Sequence, residues 1–311
     1  MGSSVGLGSA SVSSADSLRS FLSVLQRHHI TQLDTARVYN SGKSEESLGL
    51  IPEAASTFTI ATKAPGFMPG SLTYEKVTAN CNASLSALKQ DKIDLYYFHG
   101  PDRRTPLEES CRAIHDLHTA GKIAAFGISN YNVDEVRTIV ELCARKGWIR
   151  PTVYQGGYNG LARGGETQLF PTLRELGIAF YAFSPLAGGF FSKTSAQLRA
   201  PAEGSRMQQM KQFSQMYVND TSLALHERLR AVCEREGVEV KAAALRWLMH
   251  HSSLGEEDGV ILGASSEEQM EENLRGCEGG PLPVSMVEAF EEMWRVWSED
   301  GTNAGRMFYS V

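Results

Sequence analysis

The chain has 311 residues, a formal net charge of −6, 42% hydrophobic and 21% charged residues. That length and apolar share fit one large α/β domain or two small ones and exclude a disordered chain. The acidity is spread along the sequence without a basic block, which argues against nucleic acid or an anionic membrane as partner and leaves a small molecule as the default ligand.

The opening stretch MGSSVGLGSASVSS has neither a charged n-region nor a continuous apolar core. No run approaches the ~18 apolar residues of a membrane span, so a cytoplasmic protein is expected. Val5–Ser9 reads as a first strand weakened by Gly6 and Gly8. Leu18, Phe21, Leu22 and Leu25 follow the spacing of a helix with one buried face, with His28 and His29 at its end, solvated or facing the helix dipole. Ile30, Gln32 and Leu33 form a strand-like run that stops on Asp34. A short polar loop then delivers Tyr39, and a helix opens near Ser44, read as its N-cap, with Glu45 and Glu46 in the first turn. Phe58–Thr62 is the next strand, ending at Lys63 before Pro65 and Gly66.

Val77, Cys81, Leu85 and Leu88 mark a helix, and IDLYYFH a strand from Ile93 to His99. Leu107, Cys111, Ile114 and Leu117 mark another helix, and IAAFGIS the strand Ile123–Ser129. Asn132 and Glu135 read as a cap and its reciprocal partner, ahead of the stripe Val136, Ile139, Val140 and Cys143. Thr152–Gln155, a helix at Leu169, Leu173 and Leu176, and the strand Gly177–Ser184 continue the alternation. Gly188–Asp220 breaks it as a long polar loop, the place for a lid or cofactor strap. A helix at Leu225, Leu229 and Val232, the segment Ala242–His250, the strand Val260–Leu262 and a helix over Ser266–Arg275 follow. A last helix shows Val287, Phe290, Trp294 and Trp297 on one face, read as core packing. The five cysteines, 81, 111, 143, 233 and 277, lie far apart and mostly on apolar helical positions, so they read as reduced core residues.

Strands alternating with helices some eight times, without a glycine-rich dinucleotide fingerprint after the first strand, predict a (β/α)8 TIM barrel over a doubly wound sheet. One domain covers residues 1–311, with a long strap loop after the seventh strand and a C-terminal helix and tail. Chemistry in such a barrel sits at the C-terminal strand ends, which here carry Asp34, Lys63, His99, Ser129, Asn130, Gln155 and Ser184. Any one of these could merely finish a strand; together they are hard to assign to packing. A phenol is protonated at neutral pH and can give its proton to a developing oxyanion. An ammonium at Lys63 favours the phenolate that Tyr39 leaves behind, Asp34 holds that ammonium in place, and His99 can donate to the same oxygen. Such a site reduces carbonyls once a hydride is supplied, and since no side chain supplies one, a nicotinamide cofactor is implied. Ser129, Asn130 and Gln155 offer the groups a carboxamide needs.

The motifs LDTARVY with SE and LG, ATK, YYFHGPD, GISN, VYQGGYN, AFSPLAGG, AALRW and ILGASSEEQMEENL run in order from about residue 30 to 300. They resemble the aldo-keto reductase superfamily, in particular its aflatoxin-aldehyde-reductase-like branch. The resemblance implies a barrel that binds NADPH without a Rossmann domain. It implies Tyr39 as proton donor, Lys63 and Asp34 as the groups that tune it, and His99 as the residue that orients the carbonyl. For the cofactor it implies Asp34 among the binding residues, Ser129, Asn130 and Gln155 at the carboxamide, and Phe183 stacked on the nicotinamide. It further implies Ser184, Leu186, Gly188, Lys193 and Arg206 along the pyrophosphate, and Gly263, Ser265, Gln269 and Asn273 at the adenosine-phosphate end.

Four departures bear on these expectations. Phe183 stands where the family often has tyrosine, keeping the stacking face. Gln269 stands where many relatives use arginine, so recognition of a 2′-phosphate falls to Ser265, Arg206 and Lys193. The segment before Asp34 is short for the family, and an incomplete first strand would strain a closed barrel. The stretch from Arg206 to Asp220 lacks the arginine-rich pattern of the branch, which speaks against small acidic aldehydes. The expected activity is NADPH-dependent reduction of an aldehyde or ketone in detoxification or secondary-metabolite biosynthesis. Tyr39, His99, Tyr131, the Gly188–Asp220 loop and the tail with Phe308 and Tyr309 would line the substrate pocket, their aromatics favouring a bulky apolar substrate. A second reading is a nicotinamide-binding sensor subunit with little turnover. A barrel lyase or isomerase would need a phosphate or metal site that the sequence does not offer. Isologous pairing, common among soluble enzymes, makes a homodimer the expected assembly.

Overall fold

Short runs rich in β-branched and aromatic residues alternate with amphipathic helices, and this alternation closes on itself in space. The computed structural model describes residues 2–6, 15–209 and 211–300. In order these are β1 (Gly2–Gly6), α1 (Ala15–Arg27), β2 (Gln32–Asp34), α2 (Lys43–Gly49), α3 (Pro52–Thr57), β3 (Thr59–Ala64), α4 (Tyr74–Leu88), β4 (Ile93–Phe98), α5 (Leu107–Thr119), β5 (Ile123–Ser129) and α6 (Val133–Lys146). There follow β6 (Pro151–Gly157), α7 (Leu169–Leu176), β7 (Ala179–Phe183), α8 (Ser195–Arg199), α9 (Arg206–Gln209), α10 (Lys211–Tyr217), α11 (Asp220–Glu236), α12 (Val240–His250), β8 (Gly259–Leu262), α13 (Glu267–Glu278) and α14 (Val284–Glu299). Every strand pairs in parallel with the next, and β1 pairs with β8, so the sheet is a closed barrel.

Helices such as α4, α5 and α7 lie against the strands they follow or precede, each with buried apolar residues on one face. On α6 the stripe is Val136, Ile139, Val140 and Cys143, all buried, and Asn132 and Glu135 cap its start reciprocally. Each such side chain, taken fully out of water, stabilises the fold by about 1.5–3 kcal/mol. All five cysteines are free and buried, Cys81, Cys111, Cys143, Cys233 and Cys277. No helix among the described residues is long and apolar enough to cross a membrane.

Several local expectations are corrected. The first strand is Gly2–Gly6 rather than Val5–Ser9; residues 7–9 lie outside the described residues. Its neighbours on both sides fix that register, Ser4 lying opposite both Gln32 and Ile261. Ser44 is not the N-cap of α2: Gly42 is, in a left-handed conformation, because the turn out of Tyr39 enters the helix through positive φ. The stretch Gly188–Asp220 is not an irregular loop but a 3₁₀ turn at Ala187–Ser192 followed by α8, α9 and α10, with Thr194 and Gln197 forming a capping box. On α14 the fully buried side chains are Met286, Phe290, Met293 and Trp297, while Val287 and Trp294 are only partly covered. The covered stripe is thus shifted about one residue around the helix.

Candidate active site

β2 is only three residues long, and Asp34 is its last. The chain then leaves the barrel, with Thr35 N bonded to Ala61 O at 2.8 Å and Tyr39 N to Ala36 O at 2.9 Å. Three left-handed residues follow Tyr39: Asn40 (φ 47), Ser41 (φ 54) and Gly42 (φ 92). Gly42 is favoured by its φ, and a Cβ there, 1.9 Å from Arg37 Nη2, would also push the guanidinium aside. This turn carries the phenol of Tyr39 back over the strand ends.

Lys63, on β3, is fully buried. Its Nζ lies 2.5 Å from Asp34 Oδ1 and 2.7 Å from Thr35 O. It sits 5.2 Å from the centre of the Tyr39 ring and 5.6 Å from that of Tyr97. Burial pulls the Lys63 ammonium down, but the Asp34 carboxylate and then the Tyr39 oxygen more than offset it, so its pKa stands above the ordinary value. Gln155 Nε2 donates to Asp34 Oδ2 at 2.8 Å, so both oxygens of this buried carboxylate are engaged.

His99 follows β4, and its ring meets that of Tyr39 edge-on, 5.7 Å between centres at 82°. Burial, with the nearby Lys63 charge, pushes the imidazole down to about 3, so it is neutral at physiological pH and offers one N–H as a donor. A phenol backed by a buried ammonium and a neutral imidazole beside it suit a carbonyl oxygen that takes up a proton.

The residues proposed for a carboxamide adjoin this group. Asn130 (φ 65) donates from Nδ2 to His99 O at 3.0 Å and to Ser129 Oγ at 2.8 Å, leaving its Oδ1 as the acceptor. Gln155 is turned toward Asp34. Phe183 ends β7 half-buried, and Ser184, φ 55, starts the turn after it, its carbonyl accepting from Asn159 Nδ2 at 3.0 Å. Leu186 precedes three further left-handed residues, Ala187, Gly188 and Gly189. Lys193 folds back over this turn, its Cε 3.6 Å from where a Gly189 Cβ would stand. Arg206 opens α9, and its side chain lies outside what is described. Gly263, Ser265, Gln269 and Asn273 form a separate bonded cluster between β8 and α13. There Gln269 Oε1 accepts from Ser265 N at 3.1 Å and Ser265 Oγ at 2.8 Å, and Asn273 Nδ2 donates to Gly263 O at 3.3 Å. The donor set fits a nicotinamide dinucleotide: amide and hydroxyl groups beside the phenol, then a backbone turn with a lysine, then a helix N-terminus with hydroxyls for a phosphate.

Tyr131, in the turn between β5 and α6, is covered, only 1% exposed, with its hydroxyl donating to Gly100 O at 3.4 Å. Phe308 and Tyr309 lie outside the described residues. The mouth instead shows Phe67 and Met68, 58% and 68% exposed, with the Phe67 ring centre 5.9 Å from that of His99. Phe67 has φ 69 and reaches this place because Gly100, whose Cβ would lie 2.3 Å from its ring, leaves the space. The signal in the sequence was two large apolar residues inside the Pro/Gly-rich run APGFMPG directly after Lys63. Asp102 ties this loop to the next, accepting from Leu72 N and Arg104 N at 3.0 Å, Thr105 N at 3.3 Å and Thr105 Oγ1 at 2.6 Å.

The model of the aldo/keto reductase family matches residues 2–295. An aldo-keto reductase of Pseudocercospora fijiensis is 39% identical over 285 residues, 88% of this chain and 96% of that protein. Oxidoreductase sirO of Leptosphaeria maculans is 41% identical over 286 residues, 91% of this chain and 87% of its own. Aflatoxin B1 aldehyde reductase member 4 of Homo sapiens is 39% identical over 300 residues, 90% and 88%. With the barrel and the group at Tyr39 already in view, these similarities agree: the chain belongs to the aldo/keto reductase family, nicotinamide-dependent oxidoreductases of carbonyl groups.

Proposed function

We propose that the protein reduces an aldehyde with an apolar or aromatic body to the alcohol, using NADPH, in the disposal of reactive aldehydes. The observation that carries this reading is the buried Lys63 ammonium held by Asp34 beside the Tyr39 ring, with neutral His99 at the ring's edge. NADPH, when bound, supplies the hydride. His99 N–H and Tyr39 O–H hold the carbonyl oxygen between them, and Tyr39 gives that oxygen its proton as negative charge develops. Lys63 stabilises the phenolate left on Tyr39, which then takes a proton back from solvent.

Ser129 and Asn130 would hold the carboxamide and Phe183 the nicotinamide face. The turn from Ser184 through Leu186 and Gly188 to Lys193, with Arg206, would follow the pyrophosphate, and Gly263, Ser265, Gln269 and Asn273 the adenosine end. Preference for the 2′-phosphate rests on Ser265, Lys193 and Arg206. Gln155 acts through Asp34, to which it is bonded. The apolar substrate class is supported by Phe67, whose exposed ring stands against His99, with Val38 and Met68, next to Tyr39 and Phe67 in sequence, also more than half exposed. Five free cysteines fit the reducing cytoplasm as the compartment.

The test is loss of NADPH absorbance on mixing the protein with aromatic, aliphatic and carboxylate-bearing aldehydes, with NADH alongside. Turnover is expected with NADPH and the aromatic and aliphatic aldehydes. Cofactor binding seen by fluorescence without turnover of any carbonyl would overturn the reductase reading in favour of a nicotinamide sensor.

A further inference from the structure

We propose that Glu45 is a positioning residue for Tyr39: its buried carboxylate clamps the strand position next to Lys63 to the turn that carries the phenol. As far as rates are concerned, this rests on the reductase reading above. Sequence periodicity places Glu45 and Glu46 alike in the first turn of α2, but the structure separates them. The Glu46 side chain is 59% exposed, whereas that of Glu45 is completely covered. A covered carboxylate is costly unless its oxygens are engaged, and those of Glu45 are taken by two residues with one thing in common. Oε1 accepts from Thr62 Oγ1 at 2.6 Å, and Oε2 from Arg37 Nη1 at 2.5 Å. Thr62 precedes Lys63 on β3, and Arg37 lies two residues before Tyr39.

Side chains alternate across a strand, so while Lys63 points to the barrel interior, Thr62 points outward to α2. Glu45 therefore holds β3 from outside at the position where Lys63 faces the phenol from inside. Arg37 carries the constraint onward against Gly42, where a Cβ would meet its guanidinium. Within the turn itself, a short 3₁₀ segment at Tyr39–Gly42 interrupted by left-handed Asn40 and Ser41, the backbone bonds are few and local, Tyr39 N to Ala36 O and Lys43 N to Asn40 O. The Thr62–Glu45–Arg37 link gives the Tyr39 turn a fixed height over Lys63. None of the three touches the carbonyl site, so their effect is on geometry and not on chemistry directly.

The experiment compares Glu45→Ala, Glu45→Gln, Thr62→Val and Arg37→Lys with the wild type in NADPH-dependent aldehyde reduction, reading kcat, aldehyde KM, NADPH Kd by fluorescence, and thermal melting. Misplacing a proton donor by about an ångström lowers turnover by up to roughly 100-fold. Glu45→Ala is therefore expected to lower kcat roughly 10- to 100-fold with KM and NADPH Kd within about twofold. Glu45→Gln, which keeps an acceptor for Thr62, should recover part of the loss. Thr62→Val removes no charge and carries the test if Glu45→Ala does not fold; its kcat should fall several-fold. Values of kcat within twofold of wild type for both Thr62→Val and Glu45→Gln would overturn the proposal, as would equal losses in kcat and NADPH affinity. Should the wild type reduce no carbonyl, the reductase reading fails by itself. Positioning is then read from protein labelled with ¹³Cζ-tyrosine, the Tyr39 signal being assigned with Tyr39→Phe. A shifted or broadened Tyr39 signal in Thr62→Val and Glu45→Gln supports the clamp, and an unchanged one overturns it.

Discussion

Replacing Asp34 by asparagine removes the charge that keeps Lys63 an ammonium inside the barrel. Lys63 Nζ then retains Thr35 O and the Tyr39 oxygen, but no anion. Leaving one partner of a buried ion pair uncompensated costs about 3–5 kcal/mol. Burial, the largest influence on Lys63 and one that lowers its pKa, would then prevail, and the lysine would fold neutral. The sign follows from proton counting. In the wild type the folded pKa is raised, so the contribution of Lys63 to stability is fully present below about 10.4 and lost only as pH rises through the raised value. In Asp34→Asn the unfolded chain binds the proton that the folded one lacks, so stability rises with pH at about 1.4 kcal/mol per unit up to about 10.4. At pH 7 the penalty reaches about 4.6 kcal/mol if Lys63 is fully neutral, consistent with the pair-breaking range, and at pH 9 about 1.9 kcal/mol. Melting followed by circular dichroism at pH 7, 8 and 9 should show a variant about 10 °C less stable than wild type at pH 7, with the gap narrowing by more than half at pH 9. Parallel melting curves across that range would refute the reasoning, because they would mean that Asp34 is not what keeps Lys63 charged.

Tyr39→Phe should lower kcat for aldehyde reduction by about 10²–10⁴-fold with NADPH Kd within twofold; activity equal to wild type would remove Tyr39 as proton donor. His99, held at about 3 by burial and the Lys63 charge, should keep a constant ring-proton chemical shift from pH 5 to pH 9 by NMR. Because its folded pKa lies below the ordinary ~6.5, it subtracts stability as pH falls below that value, so His99→Gln should lose less melting temperature between pH 7 and pH 4.5 than wild type does. Burial raises the Asp102 carboxylate, but the donors from Leu72, Thr105 and Arg104 outweigh it and bring it to about 2. Its stabilisation is present above the ordinary ~3.9 and lost as pH falls through about 2. Asp102→Ala should cost at least about 2 kcal/mol near neutral pH in urea unfolding, and release of the Phe67 loop should show as a raised KM for aromatic aldehydes.

What the sequence determined by itself was whatever depends on neighbours along the chain. Helix stripes such as Val136, Ile139, Val140 and Cys143, the Asn132–Glu135 capping box and the polar group at each strand end could be read because periodicity and capping act within a few residues. The eightfold alternation led to the barrel, and the barrel rule led to Asp34, Lys63 and His99. Tertiary structure decided what depends on residues far apart in sequence. The register of β1 is set by β2 and β8 on either side, so its own glycine-rich sequence was a poor guide to its bounds. Gln155 could be placed on the right strand, but its bond to Asp34, 121 residues away, is a fact of closure. The sequence placed Tyr131 at the substrate pocket and Glu45 beside Glu46 in the first turn of a helix, without a partner for either polar group. Both are buried, because a partner from another loop or strand, Gly100 O or Thr62 and Arg37, satisfies them there. A buried polar group is tolerated only where its hydrogen bonds are met, and those partners come together only when the barrel closes.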